Sequence, residues 1–490
     1  MKNVSFKVSH WLIMFLLFFN DFSITSQNLS KSSKPNIVFI LVDDLGKEWV
    51  SSYGAEDIVT PNIDKLAKSG LKFNNAYGMP QCTPSRLTLL TGQYPFRHGW
   101  VNHWDVPRAG GGAHFDENLN PVLVQEIKKA GYKTCIAGKW QIDDFRVEPD
   151  ALTKIGFDAY CMWTGKEGKN PMPSGNRYYD PYVFTKNGSS TYKDAFGPDV
   201  FKDFINDFIR NNKDEPMFIY YPMVLTHTPF VTPPMATAKT PLEKHKSMVT
   251  YTDYVTSQIV ETLEQEGIRE NTVIIWTTDN GTTNKVIGNR NGFAIKGAKT
   301  KTTEAGVCLP FIVSWPAVIK PNSLSNALVD FTDILPTCLD LCGVPIGHTL
   351  TSKDKEFVID GRSFKEVLLG NKETIRDWIL AMGGGNKSKL TENGVENMYV
   401  YRDRVLRNER YKLKLGTKKK PLGFYDLLED PMETKNIIND LGKGSRKENF
   451  HALYKATLNF PDKDSDPKYI PNPSQIWDVK VTAKSQVWKK

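Results

Sequence analysis

Cysteine is scarce in this chain. There are six in 490 residues, at positions 82, 135, 161, 308, 338 and 342, and no two stand in a Cys-x-x-Cys pair. That excludes a disulfide scaffold and the paired-thiol zinc and redox motifs. Cys135 and Cys308 lie in apolar, strand-like runs and read as buried free thiols. Cys338 and Cys342 share a helix face, where regular helix geometry does not let them bond. Histidine is also sparse, with eight residues, so acidic and amide side chains must supply most of any metal site. Long apolar runs are lacking except for "WLIMFLLFF" at 11–19. That run is too short to span a bilayer and follows Lys2 and Lys7, so residues 1–26 read as a secretory signal. The expectation is an exported protein, periplasmic or secreted, with no membrane span. Internal repeats and nucleic-acid-binding motifs are missing too. The densest basic run, "KLKLGTKKK" at 412–420, reads as a solvated hairpin, and no nucleic-acid partner is expected. The net charge of +8 is compatible with an anionic substrate, although solubility alone accounts for it.

What is present is a regular alternation of strands and helices from about 35 to 370. "NIVFILV" (36–42) is apolar at every position, as a strand buried on both faces must be. "TPNIDKLAKSG" (60–70) carries Thr60 before Pro61 and closes on Gly70, the punctuation of a short helix. "NPVLVQEIKKAGY" (120–132) repeats that scheme, and a long amphipathic helix is expected over 245–266. "TCIAGKW", "MFIYYPMV", "TVIIWTT" and "LPFIVSW" read as further strands. The class is therefore α/β, with a mostly parallel central sheet flanked by helices. Residues 142–198, rich in Gly, Pro, Asn and aromatics, read as long loops able to shape a pocket. From 371 to 490 the pattern predicts a smaller α+β subdomain with an antiparallel sheet and a tail over the surface.

Asp43 and Asp44 end the first strand, and Asp279 and Asn280 end "TVIIWTT". Carboxyl ends of strands line the ligand crevice of an open α/β sheet. Three carboxylates and an amide oxygen are hard donors that suit Ca²⁺ or Mg²⁺ and suit zinc poorly. In "QCTPSRLTLLTG" (81–92), helix-forming sequence begins at Cys82, with Pro84 in the first turn and Arg86 close behind. A thiol at a helix N-terminus meets free N–H groups that favour an anion. A buried capping thiol satisfies the same pattern.

Cys82-x-Pro84-Ser85-Arg86 followed by "LTLLTGQYPFRHG" resembles the signature of the type I sulfatases, in the alkaline-phosphatase-like superfamily. The resemblance runs through "KPNIVFILVDDLG", "TPNIDKLAKSGLKFNNAY", "AGKW", "THTPF", "TTDNG", "KTKTTEAGVCLPFIVSWP" and "FYDLLEDPMETKNI", in order. It implies that Cys82 is converted to formylglycine (3-oxoalanine) by a formylglycine-generating maturation enzyme, and that the aldehyde hydrate attacks a sulfate ester. One hydrate oxygen would attack sulfur and release the alcohol, and collapse of the other would expel sulfate. It further implies that Asp43, Asp44, Asp279 and Asn280 bind one Ca²⁺, contacted also by the modified Cys82. Arg86 would orient the hydrate, and Lys139 and Lys299 would hold sulfate oxygens, with Lys301 a rival to Lys299. His227 would bind sulfate and protonate the leaving alcohol.

One position departs from the pattern. The family usually carries His after "GKW", and this chain has Gln141. An amide cannot act as a base near neutral pH. His98, His103 and His114 are candidates to replace that histidine or to contact substrate. The expected reaction is removal of sulfate from a sulfated glycan: ulvan, another algal polysaccharide such as carrageenan or fucoidan, or a glycosaminoglycan. The alternatives are a formylglycine-dependent phosphoesterase or phosphonate hydrolase, and a catalytically impaired glycan-binding homologue.

Overall fold

The computed structural model describes residues 1, 34–101, 113–164, 177–383, 388–391, 394–397, 403–462 and 469–471. The expected signal sequence, His103 and most of the tail lie outside the described residues. Residues 34 to 490 form one compact unit. No described helix is long and apolar enough to cross a membrane.

The apolar run at Asn36–Val42 forms β1, in the middle of a ten-stranded sheet. The other strands are β2 (Leu71–Tyr77), β3 (Lys133–Lys139), β4 (Ala159–Trp163), β5 (Tyr182–Thr185), β6 (Gly188–Thr191), β7 (Met217–Pro222), β8 (Thr272–Thr278), β9 (Cys308–Ser314) and β10 (Ser323–Asp330). Their spatial order is β10-β2-β9-β8-β1-β7-β3-β4-β5-β6. β1 pairs parallel with β7 and β8, and β3 pairs parallel with β7 and β4. β9 runs against both of its neighbours, and so does β5, next to the edge strand β6.

Alternation along β1 explains why every residue in it is apolar. Ile37, Phe39 and Leu41 join one core, with residues of α2 (Cys82–Thr91), α3 (Leu123–Lys129) and α6 (Ile334–Leu341). Val38, Ile40 and Val42 join the other, with α1 (Pro61–Lys68), α4 (Gly197–Asn212) and α5 (Pro241–Gln265). Each such side chain contributes roughly 1.5–3 kcal/mol by leaving water, so a polar residue on either face of β1 would be costly.

A second sheet, wholly antiparallel, has β11 (Ile379–Gly383), β12 (Asp403–Arg407), β13 (Tyr411–Leu415) and β14 (Pro421–Asp426) in sequential order. Its core includes Met79, Tyr94 and Phe96, which flank α2.

Several local expectations are corrected. α3 starts at Leu123 with Val122 before it, because Asn120 is used in its own turn, donating to the Asp116 carbonyl at 2.9 Å. α5 begins at Pro241, where Thr240 and Glu243 cap each other's backbone. Residues 142–198 are not all loop: they hold β4, β5, β6, a short helix at Ala151–Ile155 and the start of α4. The 412–420 hairpin is not uniformly solvated. Lys412 is 1% exposed and lies 3.1 Å from Glu304 and 2.8 Å from Glu433, so burial there is matched by two carboxylates.

Candidate active site

Four strand ends and one helix start converge. β1 delivers Asp43 and Asp44, β3 ends on Lys139, the loop after β7 carries His227, and β8 is followed by Asp279 and Asn280. Backbone hydrogen bonds lace the ends together: Asp43 N to the Leu225 carbonyl at 2.7 Å, Thr226 N to the Asp43 carbonyl at 2.6 Å, and Asp279 N to the Val42 carbonyl at 2.9 Å. Asp44 adopts a left-handed backbone, φ 63°, which Asp tolerates better than most residues. Gly138, at φ 118°, lies so close to the Pro222 carbonyl that a β-carbon would clash, which accounts for the glycine before Lys139.

Cys82 is the first residue of α2 and is 2% exposed. All six cysteines are free. Ser85 anchors this end of the helix, accepting from Met79 N at 2.9 Å and donating to the Asp279 carbonyl at 2.5 Å. Ligand atoms of Asp43, Cys82 and Asp279 lie within 4.8 Å of one another, as do those of Asp43, Asp44 and His227.

The charges are buried and interleaved. Arg86 donates from Nη1 to the Lys139 carbonyl at 2.7 Å and from Nη2 to Asp279 Oδ2 at 2.8 Å. Lys139 Nζ is 2.5 Å from Asp43 Oδ2, and Lys299 Nζ is 2.5 Å from Asp44 Oδ1. Asn280 Nδ2 donates to Asp44 Oδ1 at 2.8 Å, and Asp44 N donates to Asp279 Oδ1 at 3.1 Å. Burial alone would raise Asp43, yet Lys139, His227 and Arg86 hold it well below the usual carboxylate range. Burial raises Asp44 against the pull of Lys299. Burial, with Asp43 adding to it, pushes Asp279 up to about 6. Burial lowers the Lys139 ammonium despite Asp43, whereas at Lys299 it is outweighed by Asp44.

His227 is more open, its side chain 23% exposed, with Nε2 3.7 Å from Asp44 Oδ2. Nδ1 lies 2.6 Å from the Thr228 carbonyl. A carbonyl only accepts, so Nδ1 carries a hydrogen and Nε2 is the titrating atom. Burial, then Lys299, hold His227 well below its ordinary pKa.

A metal fits this donor set. Asp43 Oδ1 and Asn280 Oδ1 are buried without a hydrogen-bond partner. Two orphaned oxygens beside two further carboxylates are costly unless something positive accepts their lone pairs, and all-oxygen donors suit a hard divalent cation.

Lys301, the rival of Lys299, is exposed, whereas Lys299 reaches Asp44. Gln141 follows the β3 end at φ 63°, with its Oε1 buried and unpartnered. The suggestion that His98 replaces the family histidine is corrected: it is fully buried, accepts from Trp100 N at 3.1 Å and lies 3.4 Å from the Thr88 hydroxyl. It braces the far end of α2. The side chain of His114 lies outside the described residues. Tyr178 was missed by sequence reasoning. Its hydroxyl donates to the Val224 carbonyl at 2.9 Å and also to the His227 carbonyl, pinning the His227 loop. The aromatic pair in "NRYYDPY" was the available signal.

Known proteins bear on this arrangement. A family model described as Sulfatase matches residues 35–344, and one described as N-sulphoglucosamine sulphohydrolase, C-terminal, matches 299–457. An N-acetylgalactosamine-6-O-sulfatase of Bacteroides thetaiotaomicron is 28% identical over 84% of this chain and 91% of its own length. An ulvan-active sulfatase of Formosa agariphila is 26% identical, covering 80% of this chain and 67% of its own. Human arylsulfatase A is 26% identical over 91% of each. Among solved structures, Ps i-CgsB superimposes with a TM-score of 0.71 at 23% identity, covering 90% of this chain and 95% of its own, a likeness of fold. With the family model matched over most of its length, the chain belongs to the sulfatase family and is a sulfuric ester hydrolase.

Proposed function

We propose that this enzyme removes sulfate from a sulfated glycan, ulvan and other algal polysaccharide oligosaccharides foremost, with a modified Cys82 as nucleophile. The observation that carries the reading is the joint placement of Cys82 and Asp279 at one end of α2, beside two orphaned metal-capable oxygens, two buried cations and a third, Lys299, that is half-buried. The relatives named as acting on ulvan and on N-acetylgalactosamine 6-sulfate support the glycan class. Asp43, Asp44, Asp279 and Asn280 would hold Ca²⁺, with residue 82 against it. Bound there, Ca²⁺ supplies charge that offsets sulfate, and formylglycine at 82 supplies the attacking oxygen.

This chain's own residues do the rest. Arg86, fixed at both ends of its guanidinium, holds the α2 start against β3 and β8 and fixes the orientation of residue 82. Lys139 and Lys299 each exchange a carboxylate contact for a sulfate oxygen as charge builds there. His227 Nε2, left as the titrating atom because Nδ1–H is held by the Thr228 carbonyl, has lowered basicity in the free site. It would take up a proton from water as sulfate's negative charge arrives and pass it to the leaving alcohol. Gln141 offers only hydrogen bonds where the family has a base, so another group must take the last proton. Export to the periplasm or medium, and a formylglycine-generating partner, complete the reading. The test is to express the chain with and without a formylglycine-generating enzyme, trap an aldehyde on the peptide containing residue 82, and titrate calcium. An aldehyde and calcium-dependent turnover support the reading. Equal activity from the unmodified thiol contradicts it.

A further inference from the structure

Arg177 is 7% exposed, yet its Nε and Nη1 have no hydrogen-bond partner, and no carboxylate pairs with it among the described residues. The face of its guanidinium stacks on the Trp163 ring, 4.0 Å from the ring centroid. A cation over an aromatic ring is attracted, but that contact leaves the in-plane N–H groups without acceptors. A buried guanidinium in that condition is destabilising until an anion meets it.

Its position shows where that anion would come from. Trp163 is the register partner of Lys139 at the carboxyl edge of the sheet, so the two project to the same face. The next residue, Tyr178, is tied by its hydroxyl to the Val224 and His227 carbonyls. Arg177 is therefore held between β4, the neighbour of the strand that carries Lys139, and the loop that carries His227. Its charge reaches His227 as well: after burial, Lys299 and Lys139, it is a further cause of that imidazole's lowered basicity. None of the roles assigned above uses it.

We propose that Arg177 receives a second oxyanion of the substrate, a carboxylate or a further sulfate ester, beside the sulfate held by Lys139. The inference rests on the sulfated-glycan reading and narrows it to glycans that carry two anionic groups close together, on one sugar or on adjoining sugars. The arginine is held in place before substrate arrives, so little ordering is needed on binding.

The experiment measures binding by calorimetry to calcium-loaded Cys82→Ala protein, which cannot turn over. The probes are phenyl sulfate, 3-carboxyphenyl sulfate and resorcinol bis(sulfate). The second anion is expected to tighten binding by about 10- to 100-fold, the range of a charge-assisted hydrogen bond. Arg177→Gln should remove most of that gain, and Arg177→Lys should keep part of it. Which dianion gains more separates a carboxylate from a sulfate source. If phenyl sulfate binds and a second anion adds nothing, or if the gain survives in Arg177→Gln, the proposal fails while the sulfatase reading stands. If phenyl sulfate does not bind and the active enzyme releases no sulfate, the parent reading has failed. Should Arg177→Gln not fold, the wild-type comparison and Arg177→Lys decide.

Discussion

Replacing Arg86 with Met tests how the site is held together. Arg86 is 1% exposed and its partner Asp279 is fully buried, with 2.8 Å between them. Met keeps much of the side-chain volume and removes the charge. The Lys139 carbonyl then loses a donor, and Asp279 is left buried without its guanidinium. Removing one partner of a buried ion pair costs about 3–5 kcal/mol. For a folded unit of this size the unfolding entropy is roughly 1 kcal/mol/K, so the melting temperature should fall by about 3–5 °C. The deficit should depend on pH. Asp279 already sits at about 6 with Arg86 present, and without it the carboxyl rises further. A carboxyl whose folded value lies above its unfolded one binds more protons when folded, so its contribution falls as pH rises through the folded value. The penalty should therefore be larger at pH 8 than at pH 5.5. Urea unfolding of chelated protein at both values measures it, and Asp279→Asn in the same chain should recover part of the loss. A loss under about 1 kcal/mol, or one independent of pH, would refute the reasoning.

Lys299→Ala should lower kcat/KM by about 10²- to 10³-fold, as loss of a transition-state charge contact does, while Lys301→Ala should stay within a few-fold; equal effects would misplace the sulfate contact. Gln141→His should be tolerated and should change the pH–rate profile, and an unchanged profile would remove this position from proton transfer. His245 is fully buried against Trp49 and Phe230, with both ring nitrogens unpartnered and burial lowering it to about 3. The unfolded chain binds the proton first, so stability present above the unfolded value of about 6.5 is lost as pH falls toward 3, by about 2 kcal/mol at pH 5. His245→Phe should flatten that slope in urea midpoints between pH 7.5 and 5, and an unchanged slope would contradict the assignment.

Much of the architecture was legible because it is written in local pattern. A strand apolar at every position must be covered twice, and β1 divides its residues between two cores. Oxygen-bearing side chains just beyond a strand end fall at the crevice, so Asp43, Asp44, Asp279 and Asn280 were legible as a set. What was not legible depends on distant partners. Lys412 looks solvated until Glu304, 108 residues away, is folded against it. His98 looks available until it is found inside the fold against α2. Arg177 carries no local mark, because its meaning lies in the acceptors it lacks and in the Trp163 ring that holds it. Nothing local in the sequence separates Lys299 from Lys301; they differ in the turn that brings Lys299 to Asp44.

The central claim is that Cys82, once modified, drives release of sulfate from a glycan. The direct measurement is anion release from a panel of sulfated oligosaccharides and phosphate esters, by calcium-loaded enzyme co-expressed with a formylglycine-generating enzyme. Cys82→Ala is the control. The account predicts sulfate from a sulfated glycan, little phosphate, and neither from a control that remains folded. Phosphate as the main product, or sulfate release that persists in Cys82→Ala, would contradict it.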